Sequence, residues 1–238
     1  MDVHRPAARL ILGKLPGAGE TARVTGEEAA HARARRLKAG DPVVLIDGSG
    51  READGRIERL SRAGVEIAVL SVRDGTEEGP PVTLLVSGVR PERLDWIAEK
   101  ATELGATRLV LVASERAQGF RASAQRAERL SRVVREAAKQ CERSRWPEVA
   151  GPLSLSQALR ERARHQFFLD FDGEPFPSAA SPGSAALLVG PEGGWSDAER
   201  SEARAAGWVP ARLPAGRLRT ETAAIAGLVL LRAASINS

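Results

Sequence analysis

The chain of 238 residues reads as an α/β protein with a mainly parallel sheet, preceded by a smaller β-rich module. Three observations predict this. Short apolar runs dominate the first 72 residues. From residue 82 onward, apolar strands alternate with segments of helical period. Between them lies DGTEEGPP, residues 74–81, a polar stretch rich in glycine and proline of the kind that separates domains.

In the first part, DPVVLIDGSG predicts a strand ending in a turn. GRIERL and GVEIAVLSV predict two more strands joined through SRAG. TGEEAAHARARRLKAG predicts a short helix stopped by Gly40. Small barrels of this kind are common accessory modules for RNA.

The second part opens with the strand VTLLVSG (82–88) and the helix PERLDWIAEKATELG (91–105). Pro91 sits near the helix's first turn and Gly105 at its end. TRLVLVAS (107–114) is the next strand. A long helix is expected from 124 to 143, where Leu130, Val133, Val134, Ala137, Ala138 and Cys141 form one stripe. Arg129, Arg132, Arg135, Lys139 and Arg143 fall opposite, and Cys141 reads as a small core residue. HQFFLDF (165–171) and AALLVG (185–190) continue the sheet. SDAE supplies a capping box, Ser196 as N-cap and Glu199 three positions on, for a helix ending at Gly207. WVPARL is one more strand. The final helix, from about Thr220, is apolar nearly all round, as suits burial on more than one side, in part by a second subunit.

Composition excludes several classes. Hydrophobic residues at 42% and charged ones at 28% describe an ordinary globular chain. No apolar run approaches the roughly 18 residues of a membrane span, and the N-terminal aliphatic block is too short for a signal peptide. One cysteine allows no internal disulfide, and three scattered histidines offer no metal-ligand spacing. A cytoplasmic protein without structural metal is expected. Net charge is +4, and residues 115–150 alone hold 9 basic against 5 acidic side chains. Most are arginine, which grips phosphate and stacks on bases.

Two glycine-bearing loops follow strand ends, GPEGG at 190–194 and LPAGRLRTET at 213–222. Ligands of open α/β sheets bind beyond the carboxyl ends of strands, so both loops sit where a pocket is expected. Neither is GxxxxGK[ST] or GxGxxG, and no GxSxG or HExxH occurs, which removes support for nucleotide hydrolysis, dinucleotide binding, and serine or zinc hydrolysis. What remains is a pocket walled by backbone, fit for a neutral or mildly charged organic ligand.

VGPEGGWSDAE and LRTETA, in that order, resemble the signature segments of RsmE-type 16S ribosomal RNA (uracil-N3) methyltransferases of the SPOUT superfamily. EKATELGATRL (99–109), SER (114–116) and EAAKQCERSRWPEV (136–149) agree. The early VHR and HARARRLKAGD…DGSG resemble the family's PUA-like barrel. The resemblance thus covers essentially the whole chain. It implies a PUA-like, RNA-binding β-barrel over 1–73 and a trefoil-knotted methyltransferase domain over 80–238. It also implies S-adenosylmethionine as cofactor, a homodimer, and one methyl placed on N3 of a uridine of small-subunit RNA, uridine 1498 in the family's naming. A SPOUT enzyme acting on ribose 2′-OH or tRNA, and a non-catalytic RNA-binding assembly factor, are the alternatives.

Carried over by position, Gly190, Pro191, Glu192 and Gly194 would wrap the cofactor, with Leu188 lining it. Leu213, Leu218, Arg219, Thr220 and Thr222 would close the other side. Arg219 and Glu221 are the catalytic candidates. Arg5, Arg9, Arg90, Arg116 and Arg143 would hold RNA. The chain departs from the family pattern at Pro214, which replaces a glycine, and at Gly216 and Arg217, where arginine and isoleucine are usual. Arg90 stands for a lysine and Ala117 for a serine.

Overall fold

The computed structural model describes residues 6–75, 79–117, 123–177 and 183–236. The chain divides into two compact units, residues 1–77 with 138–145, and residues 78–137 with 146–238.

The first unit contains β1 (Ala8–Ile11), β2 (Thr21–Val24), α1 (Gly26–Ala34), β3 (Pro42–Ile46), β4 (Arg51–Leu60) and β5 (Val65–Asp74). They form one sheet in the order β1-β3-β4-β5-β2, antiparallel except for the β1–β3 pair. Alternating apolar residues along the long β4–β5 hairpin turn Ile57, Ile67 and Val69 onto Leu10 and Leu45, all buried. A Cβ on Gly55 would lie 2.6 Å from Ile67 Cγ2, and the ladder shifts register at that glycine, as bulges do. Helix α1 stops at Ala34, six residues before the expected Gly40. Arg36 takes the left-handed turn (φ 58), and Gly40 instead leads the chain into β3, its N–H donating to Ile57 O at 2.8 Å. Residues 138–145 return to this unit. Lys139 Nζ reaches Glu28 at 2.8 Å, Gly50 N donates to Ser144 O, and Arg145 Nη2 donates to Ser49 O.

The second unit contains β6 (Val82–Ser87), α2 (Pro91–Glu103), β7 (Arg108–Ala113) and most of α3 (Ala124–Gln140), then β8 (Glu148–Ser154), α4 (Leu155–Ala158) and β9 (His165–Pro175). It closes with β10 (Ala185–Val189), α5 (Asp197–Ala205), β11 (Val209–Arg212) and α6 (Thr220–Ile236). All six strands run parallel in the order β11-β9-β10-β6-β7-β8. The centre is buried on both faces, which is why β10 reads AALLV without alternation. Leu84, Leu109 and Leu187 pack on α2, α3 and α6. Leu85, Phe168 and Leu188 pack on α4, α5 and the two indoles of Trp195 and Trp208. Each such leucine contributes roughly 1.5–3 kcal/mol by leaving water.

Three expectations are corrected. Helix α3 ends at Gln140, three residues early, with Glu142 at φ 60. Its basic face is partly spent on ion pairs, Arg129 with Asp95 and Lys139 with Glu28, while Arg132 and Arg135 face outward. Cys141 is half-buried and does not belong to a core cluster. Helix α6 is not among them: Ala224, Leu228 and Leu231 are buried within the chain, and Val229 is 44% exposed.

Candidate functional site

The crevice forms where β9 leaves its neighbours. β10 pairs with β9 only as far as Leu188↔Phe168, and β11 skips from Pro210↔Phe168 to Ala211↔Glu174. Residues 169–173 fall outside both registers, at the carboxyl end of the sheet, where α/β ligands bind. The Leu169 carbonyl accepts from Trp195 Nε1 at 3.0 Å, so an indole satisfies a backbone group that lies outside both registers. Strand alternation turns Asp170 to the opposite face from Leu169 and Phe171. There it accepts from Arg200 Nε at 2.7 Å. Donating to Asp170 holds the Arg200 guanidinium above its ordinary pKa.

The first wall is the loop after β10. Gly190 is glycine for space, since a Cβ would lie 2.8 Å from Trp195 Cε2. Gly194 is glycine for conformation, at φ 68 with its N–H donating to Pro191 O. Ser196 and Glu199 make the expected capping box. Glu199 does more than cap. Its Oε2 accepts from Ser196 N at 2.9 Å and its Oε1 from Glu115 N at 2.8 Å, which pins the Ser114–Arg116 turn to the same helix end. Arg116 Nη1 donates to Gly193 O and Trp195 O, both at 3.3 Å, and Ser114 bonds Ser87 through their hydroxyls at 2.6 Å. Gly88 completes the wall. A Cβ there would meet Pro191 Cβ at 2.3 Å, so only glycine lets this strand end approach the loop.

The second wall is residues 213–220, tied to the first where Thr220 Oγ1 donates to Gly190 O at 3.1 Å. Between the walls lies a cavity of about 620 Å³, within the size range of small-molecule sites. Of the residues expected there, Gly190, Pro191, Glu192, Gly194, Leu213, Leu218, Arg219 and Thr220 line it, and so does Arg116. Leu188 does not; it is core beneath the loop. Thr222 is exposed and outside the lining. Glu221 is buried and turned to Arg93, 3.4 Å away. Arg90 is exposed at the N-cap of α2. In the first unit Arg9 is turned inward onto Glu52, and it lines a second concavity with Arg143. Arg5 lies outside the described residues.

Leu169, Asp170, Phe171, Trp195, Arg200 and Arg217 also line the cavity, and none of them is among the site residues expected from the sequence. The signal was available for the first three, since HQFFLDF ends at the crevice side of its strand. Five arginines and two acids surround the space, a lining suited to a carboxylate or phosphate group of a ligand. Among the described residues no group of histidine, cysteine or acidic side chains could hold a metal, and no helix is long and apolar enough to cross a membrane.

Residues 77–232 match the RNA methyltransferase domain model, and residues 24–70 match the RNA methyltransferase PUA domain model. A Mycobacterium bovis protein named ribosomal RNA small subunit methyltransferase E is 37% identical over 227 residues, covering 90% of this chain and 87% of its own. The chain belongs to the ribosomal RNA small subunit methyltransferase E family. Two solved structures carry the same fold. One is the family's Neisseria gonorrhoeae enzyme bound to S-adenosyl methionine, with TM-score 0.87, 27% identity, and coverage of 94% of this chain and 96% of that one. The other is a Legionella pneumophila methyltransferase in complex with the same cofactor, with TM-score 0.86, 28% identity, and coverage of 97% and 98%. The SPOUT-type architecture and the PUA-like module are thereby established for this family member.

Proposed function

We propose that the chain transfers a methyl group from S-adenosylmethionine to N3 of a uridine in 16S ribosomal RNA of the small subunit, as a cytoplasmic homodimer. The observation that carries this is one cavity closed by two loops that a single side chain, Thr220, ties together. The residues fit that cofactor. Gly194 and Gly216 present backbone with no neighbour within 4 Å of a Cβ, Leu213 and Leu218 offer apolar surface, and the arginines would pair with its carboxylate. The relatives solved with this cofactor add support.

When bound, S-adenosylmethionine supplies a methyl group activated by the sulfonium, and the bonding pair stays on sulfur as N3–C forms. N3 must lose its proton to solvent as it becomes the nucleophile, and the negative charge left behind is shared with O2 and O4 until the N3–C bond forms. Arg219, exposed in the cavity wall, stabilises that charge. Glu221 holds Arg93 instead of taking the proton, and so fixes the start of α6 against α2. N3 lies on the pairing edge, so the base reaches the site only when unpaired or flipped out.

Residues 1–73 serve as the RNA-holding barrel and 80–238 as the catalytic domain, with the two cavity loops as parts of a trefoil knot. Arg90, Arg143 and the outward Arg132 and Arg135 contact phosphate, and Arg116 holds the cofactor loop beside the RNA. The partly exposed apolar residues Trp96 on α2 and Val229 on α6 fit a subunit contact.

Titration calorimetry with S-adenosylmethionine, followed by methyl transfer by Arg219→Ala, tests the reading. The variant is expected to keep its melting temperature and lose transfer by roughly 100-fold or more, as expected when a charge-stabilising donor is removed. Full activity in the variant removes Arg219 from the mechanism, and no cofactor binding by the wild type refutes the function.

A further inference from the structure

Phe171 is 55% exposed, whereas Phe167, Phe168, Phe176, Trp195 and Trp208 are all buried. It stands in the stretch of β9 outside both ladders and lines the open edge of the cavity. From the opposite wall, the Arg217 guanidinium sits over its ring, 5.4 Å from the centroid. An aromatic face and a guanidinium plane contributed by two loops make a stacking platform. An exposed ring that also lines a cavity is placed where a ligand can cover it and take its apolar face out of water.

We propose that Phe171 and Arg217 form the platform on which the extruded pyrimidine base of the RNA stacks. Unpaired bases are held by stacking on aromatic rings and arginine planes, with polar groups reaching their edges. Phe171 and Arg217 are exposed in the lining, whereas Leu213 and Leu218 are half-buried there and are left to the cofactor. Arg217 lies two residues before Arg219 on the same loop, so one segment would cover the base face and reach the oxygens flanking N3. Arg217 then exchanges one flat partner for another without leaving the rim. This assignment rests on the methyltransferase reading above.

The test compares Phe171→Leu, Phe171→Trp and Arg217→Ala with the wild type in single-turnover methyl transfer to assembled small subunits. Cofactor affinity is measured on each by calorimetry. Stacking on an aromatic predicts that Phe171→Leu lowers transfer at limiting RNA by roughly 10- to 100-fold, with cofactor Kd within about twofold. Phe171→Trp is expected to retain most activity, since a larger π-face serves as well, and Arg217→Ala to lose less than Phe171→Leu. Phe171→Leu as active as the wild type overturns the proposal. So does a loss of cofactor affinity as large as the loss of transfer, which would make Phe171 an adenine platform. A wild type that binds cofactor but methylates no small-subunit RNA refutes the parent reading, and this one with it, in a control separate from the variants.

Discussion

The Thr220 hydroxyl donates to the Gly190 carbonyl across 3.1 Å, joining the first residue of α6 to the first residue of the glycine loop. Thr220 is buried, so its hydroxyl has no water to replace that partner. Thr220→Val keeps the shape and removes the donor. The expected result is a stability loss of about 1 kcal/mol by denaturant melts, together with weaker cofactor binding by calorimetry. A variant with unchanged affinity would show that the two loops close independently.

Gly190 faces the Trp195 indole at a distance no real Cβ tolerates. In Gly190→Ala the indole must move, and its hydrogen bond to Leu169 O goes with it. Overpacking of this kind costs roughly 1–3 kcal/mol. Quenching of tryptophan fluorescence would report the displacement, and cofactor affinity is expected to fall alongside it.

Glu199 serves two donors from different segments, Ser196 N and Glu115 N. Glu199→Gln is nearly isosteric but sets an amide NH2 against one of those N–H groups. With Glu199 buried, the unsatisfied donor costs about 1–3 kcal/mol. Hydrogen exchange is expected to quicken both at Glu115 and at the first turn of α5. Faster exchange at α5 alone would mean that Glu199 only caps.

In the first unit, burial opposes ionisation of Asp54. Hydrogen bonds from Arg73 and Ser71 outweigh it and hold the carboxyl below its ordinary value of 3.8. A folded-state pKa below the unfolded one contributes stability that is fully present above about pH 4 and is lost as pH falls through the lowered value. Asp54→Asn is therefore expected to be less stable by a constant amount from pH 5 to 8, with the difference closing below pH 4. Urea midpoints across that range check the sign, and a difference that widens in acid would contradict it.

Much of this architecture was legible in the sequence because local signals and packing agree. The SDAE box caps α5 because an N-cap serine and an acid three residues on are sufficient by themselves. AALLV reads as a central strand because both its faces are buried. Strand β8 leaves no signal in the sequence because EVAGPLS is a half-exposed edge carrying glycine and proline, without a burial period. The return of residues 138–145 to the first unit depends on Lys139 meeting Glu28, a pairing 111 residues apart that no local pattern encodes. At the site, the two loops were visible as glycine after apolar runs. The unpaired stretch at 169–173, the second duty of Glu199 and the inward turn of Glu221 toward Arg93 arise only when distant strands and helices meet.

Labelled methyl transfer decides which atom of which RNA this chain modifies. The protein is incubated with S-adenosylmethionine carrying a labelled methyl and, separately, with assembled small subunits, naked 16S RNA and tRNA, and the label is mapped by nuclease digestion. Label confined to N3 of a uridine in small-subunit RNA is the predicted result. Label on a ribose 2′-oxygen or on tRNA, or none on any RNA, would contradict it.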